Sequence, residues 1–208
     1  MDTRFNVFEI LQIAEAVETK TAKFYLRAAE RFTNEERRGI CYSLAGWRAK
    51  HRNLWRRIRR RYSEKTGEFG VFNPDDYVRS NPWTMAGLTG YGTDVNGHSR
   101  PTGRETREQI LHEAIRRSQA IIIFYQGLKA FAQNPDSRLM VDNIISEEHR
   151  HAGLLSRVLE RMLASGREDR SPVSACLAEQ GDERQLDDLI SYSNGDVSRE
   201  NMASGRLA

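Results

Sequence analysis

From Leu11 to Ala28 one row of side chains recurs at three- and four-residue steps: Leu11, Ala14, Glu18, Ala22, Tyr25 and Ala28. That spacing brings all six onto one face of an α-helix. A polar turn, RFTNEERRG (31–39), ends the row, and a second follows through Ile40, Leu44, Arg48, His51, Trp55, Ile58 and Tyr62. A third runs through Leu111, Ala114, Ser118, Ile122, Tyr125 and Leu128, and a fourth through IISEEHRHAGLL (144–155). The pattern predicts helices over 7–31, 34–64, 104–131 and 135–164. Start signals agree: Thr33 with Glu36 and Thr102 with Glu105 have capping-box spacing, and Pro135 follows Asn134 where a first helical turn accepts proline.

Shifting the chain by 100 residues aligns its apolar frame without a gap. Ile10 and Leu11 fall on Ile110 and Leu111, Phe24 and Tyr25 on Phe124 and Tyr125, Leu44 on Ile144, His51 on His151, and Leu54 on Leu154. A constant offset through two helices and their turn predicts two copies of one hairpin, 7–64 and 104–164. The expected fold is all-α, a four-helix bundle occupying residues 1–165. Glycine and proline crowd the join between hairpins, 66–101, which is too long for an ordinary structureless loop and reads as a crossover. Within it NPDDYVRSNPW (73–83) suits a short helix. Residues 166–208 form a polar, acidic tail with a short helix expected around 183–193.

Composition narrows the class. With 208 residues, 38% hydrophobic and 29% charged, the chain suits one soluble helical domain with a substantial core. No apolar stretch approaches the roughly 20 residues that span a bilayer, so no membrane partner is expected. The opening MDTRFNVFEI lacks the basic and long apolar regions of a secretory signal, which makes the cytoplasm the expected location. Cys41 and Cys176 form no CxxC pair, so neither a zinc knuckle nor a rubredoxin-type iron centre is expected.

Four polar residues break the apolar rows at mid-helix: Glu18, Arg48, Ser118 and Glu148. Burying an unpaired carboxylate is costly, so these groups should meet one another in the core. The motifs around them are ETKTAKFY (18–25), LAGWRAKH (44–51), SQAIIIFY (118–125) and IISEEHRH (144–151). With them the chain resembles the rubrerythrin branch of the ferritin-like superfamily over about residues 7–163. In that family each hairpin carries Glu seven residues before a Tyr on its first helix and Glu-x-x-His on its second. The resemblance implies a di-iron bundle, in which two single glutamates and two Glu-x-x-His pairs hold the metals. It makes Glu18, His51, Glu148 and His151 the residual ligand set. Arg48 and Ser118 stand where the family has its other two glutamates, and a permanent cation enters the cavity. A di-iron centre of the family type is therefore not expected. Arg48 can instead bridge Glu18 and Glu148 through paired hydrogen bonds, an internal substitute for an ion.

The expected function is a non-catalytic structural or binding role with no cofactor, and no catalytic residue can be named. An alternative is a mononuclear oxidoreductase or metal-handling protein, with one iron, manganese or zinc ion on Glu18, His51, Glu148 and His151. An external electron carrier is needed only in that case. Tyr25 and Tyr125 read as core residues hydrogen-bonded to nearby carboxylates; His98, His112 and His149 read as surface. Trp47, Trp55 and Trp83 offer apolar area beyond the core rows, which points to a homodimer. A further alternative is an anion or nucleic-acid binder using the basic run 50–61; nucleic acid is not the expected partner, because no exposed aromatic side chains interleave with the run.

Overall fold

The computed structural model describes residues 4–70 and 101–164, which hold helices α1 (Val7–Ala29), α2 (Glu35–Thr66), α3 (Arg107–Leu128) and α4 (Pro135–Ala164). A 3-10 turn, Lys129–Phe131, extends α3. Among the described residues there is no β-strand beyond one isolated bridge between Phe5 and Ala132. The four predicted helices are all present. Residues 71–100 of the predicted crossover, with its short helix, Trp83 and His98, and the tail lie outside the described residues.

Two of the expected caps stand elsewhere. Asn34, not Thr33, caps α2, its Oδ1 accepting from the Arg37 N–H at 3.0 Å. Thr106 with Gln109 makes the capping box of α3, so that helix begins later than expected. Thr102 and Glu105 do bond, at 2.7 Å from the Thr102 N–H to Oε1, but they shape the approach to the helix. Asn134 performs as the sequence predicts, accepting from the Ser137 N–H at 2.8 Å. Asn6 and Glu9 form a further capping box at the start of α1.

Helix α1 packs chiefly on α2 and α3 on α4, with α1 also against α4 and α2 against α3. This square places α1 across the diagonal from α3, and α2 from α4. The apolar core is in two parts. One gathers Phe5, Ile10, Leu11, Leu54, Trp55, Ile121 and Val141, the other Tyr25, Ile40, Leu44, Leu111, Leu155 and Val158. Between them lies a buried polar layer of Glu18, Arg48, His51, Ser118, Glu148 and His151. Each helix contributes to that layer at mid-length, so the residues that interrupt the apolar rows meet at one level of the bundle.

Burial follows the offset seen in the sequence. Ile10 and Ile110, Leu11 and Leu111, Ala14 and Ala114, Leu44 and Ile144, His51 and His151, and Ile58 and Val158 are buried in both members. Phe24 meets Tyr25 edge-on at 5.3 Å and 72°, and Phe124 meets Tyr125 at 5.1 Å and 72°. The chain before α1 is tied to the α3–α4 connection by Phe5 N–H to Phe131 O (2.7 Å) and Gln133 N–H to Phe5 O (2.9 Å). The chain before α3 passes over the α1–α2 connection so closely that a Cβ on Gly103 would lie 2.3 Å from the Arg31 carbonyl oxygen. Its φ of +83° also requires glycine there.

Two of the tryptophans invoked for a dimer do not offer surface for one. Trp55 is fully buried within the first apolar cluster, and Trp47 is half-buried with its indole against two histidines.

Candidate functional site

Arg48 is 0% exposed at the centre of the bundle. Its Nη1 donates to Glu148 Oε1 at 2.5 Å and its Nη2 to Glu148 Oε2 at 3.3 Å, a two-pronged clasp across the diagonal from α2 to α4. Nη1 also reaches Glu18 Oε2 on α1 at 3.3 Å, and Nη2 donates to Ser118 Oγ on α3 at 3.0 Å. One guanidinium thus touches all three other helices. Arginine suits this position because its planar fork matches a carboxylate with parallel N–H bonds while leaving donors for further partners.

The two carboxylates are not equivalent. Glu148 holds the close, paired contact. Burial pushes the Glu18 carboxyl up to about 8; Arg48 opposes that shift, the Glu148 charge adds to it, and the Trp55 indole opposes it weakly. Near neutral pH Glu18 therefore tends to keep its proton. Taking a second bare carboxylate out of water would cost on the order of several kcal/mol that no second cation offsets.

The histidines lie beside this cluster. His51 Nδ1 is 3.9 Å from Glu18 Oε1 and its Nε2 is 3.3 Å from Glu147 Oε1. His151 is 3% exposed, and neither of its ring nitrogens has a hydrogen-bond partner among the described residues. Trp47 stacks on His51 at 3.7 Å and 26° and on His151 at 3.4 Å and 15°. Two imidazoles nearly parallel and so close to one indole would collide on a shared face, so they take opposite faces with Trp47 between them. Both titrate well below the ordinary histidine range: burial disfavours the cation, and the charges of Arg48 and Arg150 add to the effect. They are neutral at physiological pH.

Trp47 and Glu147, which sequence reasoning did not place in the site, are themselves one hundred residues apart. Each approaches the histidine of the other hairpin: Trp47 stacks on His151, and Glu147 lies against His51. Arg150 holds Glu147 from the same helix. The signal for both lay one residue before Arg48 and Glu148, inside motifs already singled out. Tyr25 and Tyr125 are buried, one in each apolar cluster, and His112 and His149 are exposed.

The residues present do not fit a pair of divalent ions. The Arg48 guanidinium and the Ser118 hydroxyl lie where two glutamates would be needed, Ser118 is engaged as an acceptor, and an indole fills the space between the two imidazoles. Among the described residues no three His, Cys, Asp or Glu side chains converge as a metal-binding group. Nor is the cluster arranged for nucleophilic catalysis: the Ser118 hydroxyl accepts from a cation that cannot act as a base. No helix among the described residues is long and apolar enough to cross a membrane. Set against known families, curated proteins and solved structures, the chain matches none.

Proposed function

We propose that this chain is a ferritin-like bundle of the rubrerythrin type in which a salt-bridged layer replaces the di-iron centre, and that its role is structural or binding rather than redox catalysis. The observation that supports the reading is the Arg48–Glu148 clasp, with Glu18 and Ser118 as its secondary partners. The two helices that supply Glu-x-x-His in the family supply Arg48 with His51 and Glu148 with His151 here. In place of two ions bridging four carboxylates, one fixed cation joins the same four positions. A guanidinium has no vacant orbital and no accessible second oxidation state, so it can hold the bundle together without binding or activating a substrate. The offset of one hundred residues between the partners favours two related hairpins.

Metal analysis of the protein purified without added metal tests the reading. Well under one iron, manganese or zinc ion per chain is expected. Stoichiometric metal on Glu18, His51 and Glu148, with Arg48 turned away, would overturn it in favour of a mononuclear metal protein.

A further inference from the structure

The outward face of α2 carries chemistry that the buried layer does not use. Taking 100° per residue, Tyr42, Gly46, Lys50, Asn53, Arg57, Arg60 and Arg61 fall on one side of the helix, opposite the stripe that holds Arg48 and His51. All seven are exposed. Residues 50–61 contain seven basic side chains and no acidic one. Part of that charge is already neutralised: Arg56 and Arg59 pair with Glu15 at 3.3 and 2.5 Å, and Arg60 with Glu64 at 3.6 Å. Lys50, Arg57 and Arg61 have no partner among the described residues. They extend along about 16 Å of helix, a length that faces two or three successive phosphates of an extended strand.

Beyond the basic residues the same face changes character. Tyr42 is 50% exposed, an open ring about 12 Å from Lys50 along the axis. Between them Gly46 leaves a notch: a Cβ built there would have no atom within 4 Å. Glycine inside a long helix costs about 1 kcal/mol against alanine, so the notch is not explained by helix stability. A row of free cations leading past a flat, open step to an exposed aromatic ring combines a track for a phosphate backbone with a platform for a base.

We propose that the outward face of α2 binds single-stranded nucleic acid, with Lys50, Arg57 and Arg61 on the backbone phosphates and the Tyr42 ring stacked on a base beside Gly46. A duplex would satisfy the cations but would offer Tyr42 no open base. An anionic membrane would satisfy the cations and leave the aromatic without a specific role. None of these side chains reaches the buried layer.

Fluorescence anisotropy of the full chain with labelled oligo-dT, oligo-rU and a matched duplex, at low and moderate salt, tests it. Affinity for the single strands should weaken roughly eighteenfold over a fourfold rise in salt, as three neutralised phosphates require. The triple variant Lys50→Gln, Arg57→Gln and Arg61→Gln should lose at least about tenfold in affinity and most of the salt dependence. The charge-matched triple Arg138→Gln, Arg157→Gln and Arg161→Gln on α4 should change affinity less than about twofold. Tyr42→Ala should weaken single-strand binding about tenfold and Tyr42→Phe should restore it. Absence of binding at low salt, equal losses in the two triples, duplex binding as tight as single-strand binding, or tighter binding to phosphatidylserine vesicles than to either oligonucleotide would each overturn the proposal.

Discussion

Arg48 and Glu148 stand one hundred residues apart in the chain and clasp each other across the diagonal of the bundle, at 2.5 and 3.3 Å. In the proposed pair of related hairpins these would be equivalent positions, meeting close to the axis that relates the two. A glutamate at both places would face its own like charge there. Arginine at one of the two makes the contact an attraction.

Breaking that clasp should be costly. Arg48→Ala leaves the Glu148 carboxylate buried without its cation, and a loss of about 3–5 kcal/mol is expected. The double variant Arg48→Met with Glu148→Leu removes both charges and fills comparable volume, and should lie within about 2 kcal/mol of wild type. Urea unfolding of the two variants checks this. A double variant as unstable as Arg48→Ala would show that packing around the guanidinium, not charge, sets the cost.

Stability should peak near pH 6.5. As pH falls below 6.5, the unfolded histidines take up protons that His51 and His151 refuse in the folded protein, so the folded state loses ground. As pH rises from 4.5 to about 8, the unfolded Glu18 carboxyl has released a proton that the folded one keeps, so stability contributed by this group falls through that window. Two groups outweigh one on the acid side; on the alkaline side only Glu18 acts. Glu18→Gln should flatten the alkaline limb and steepen the acid one between about pH 4.5 and 6.5, where Glu18 opposes the histidines. Unfolding free energies measured at about pH 5, 6.5 and 8 decide it, and a profile without a maximum would contradict these shifts.

Trp47→Ala should destabilise the bundle by about 1–3 kcal/mol, since it removes two stacking contacts and opens a space between neutral imidazoles. Water entering that space would relieve the desolvation of His151, whose NMR titration should move up toward the ordinary histidine range. An unchanged His151 titration would show that the indole is not what keeps the ring dry.

The sequence was most informative where geometry follows from period. Helix order, the stripe facing the core, and the convergence of Glu18, Arg48, Ser118 and Glu148 all rest on three- and four-residue spacing, which the backbone enforces. Arg48 as an internal cation was also legible, because a buried arginine opposite carboxylates has few other places to put its charge. Caps were less so: Asn34 lies beside Thr33 and either could accept the first turn's N–H groups, so the choice depends on how the connection leaves α1. Trp47 was misread because its position next to a core residue gives no hint of which way an indole will lean. Only the two histidines it meets, one from each hairpin, make that space more favourable than the surface. The raised titration of Glu18 was likewise hidden, since it comes chiefly from a depth of burial that helical spacing alone does not give.

Gly127 lies within α3, its backbone is helical, and a Cβ added to it would meet no atom within 4 Å. Gly127→Ala should therefore stabilise the protein by about 0.5–1 kcal/mol through reduced freedom of the unfolded chain. Thermal unfolding checks it, and a destabilised variant would mean that this position is covered in the folded protein.

Restoring the missing carboxylates is the most demanding test of the replaced-site reading. Arg48→Glu with Ser118→Glu would give each hairpin one single glutamate and one Glu-x-x-His, completing the six-ligand family pattern with Glu18, His51, Glu148 and His151. Without metal the variant should be less stable than wild type, because four carboxyl groups would crowd a layer that now holds two around one guanidinium. Ferrous iron binds only the folded state, so it should recover stability and raise the melting temperature with concentration. Uptake should approach about two ions per chain, while wild type takes up far less under the same conditions. Trp47 stands between the two histidines, so adding Trp47→Ala should strengthen iron uptake further if the indole is the remaining obstacle. Iron uptake by wild type equal to that of the restored variant would remove the case for Arg48 as a substitute ion. Failure of both restored variants to bind iron, with their helical content intact, would count against descent of this layer from a di-iron centre.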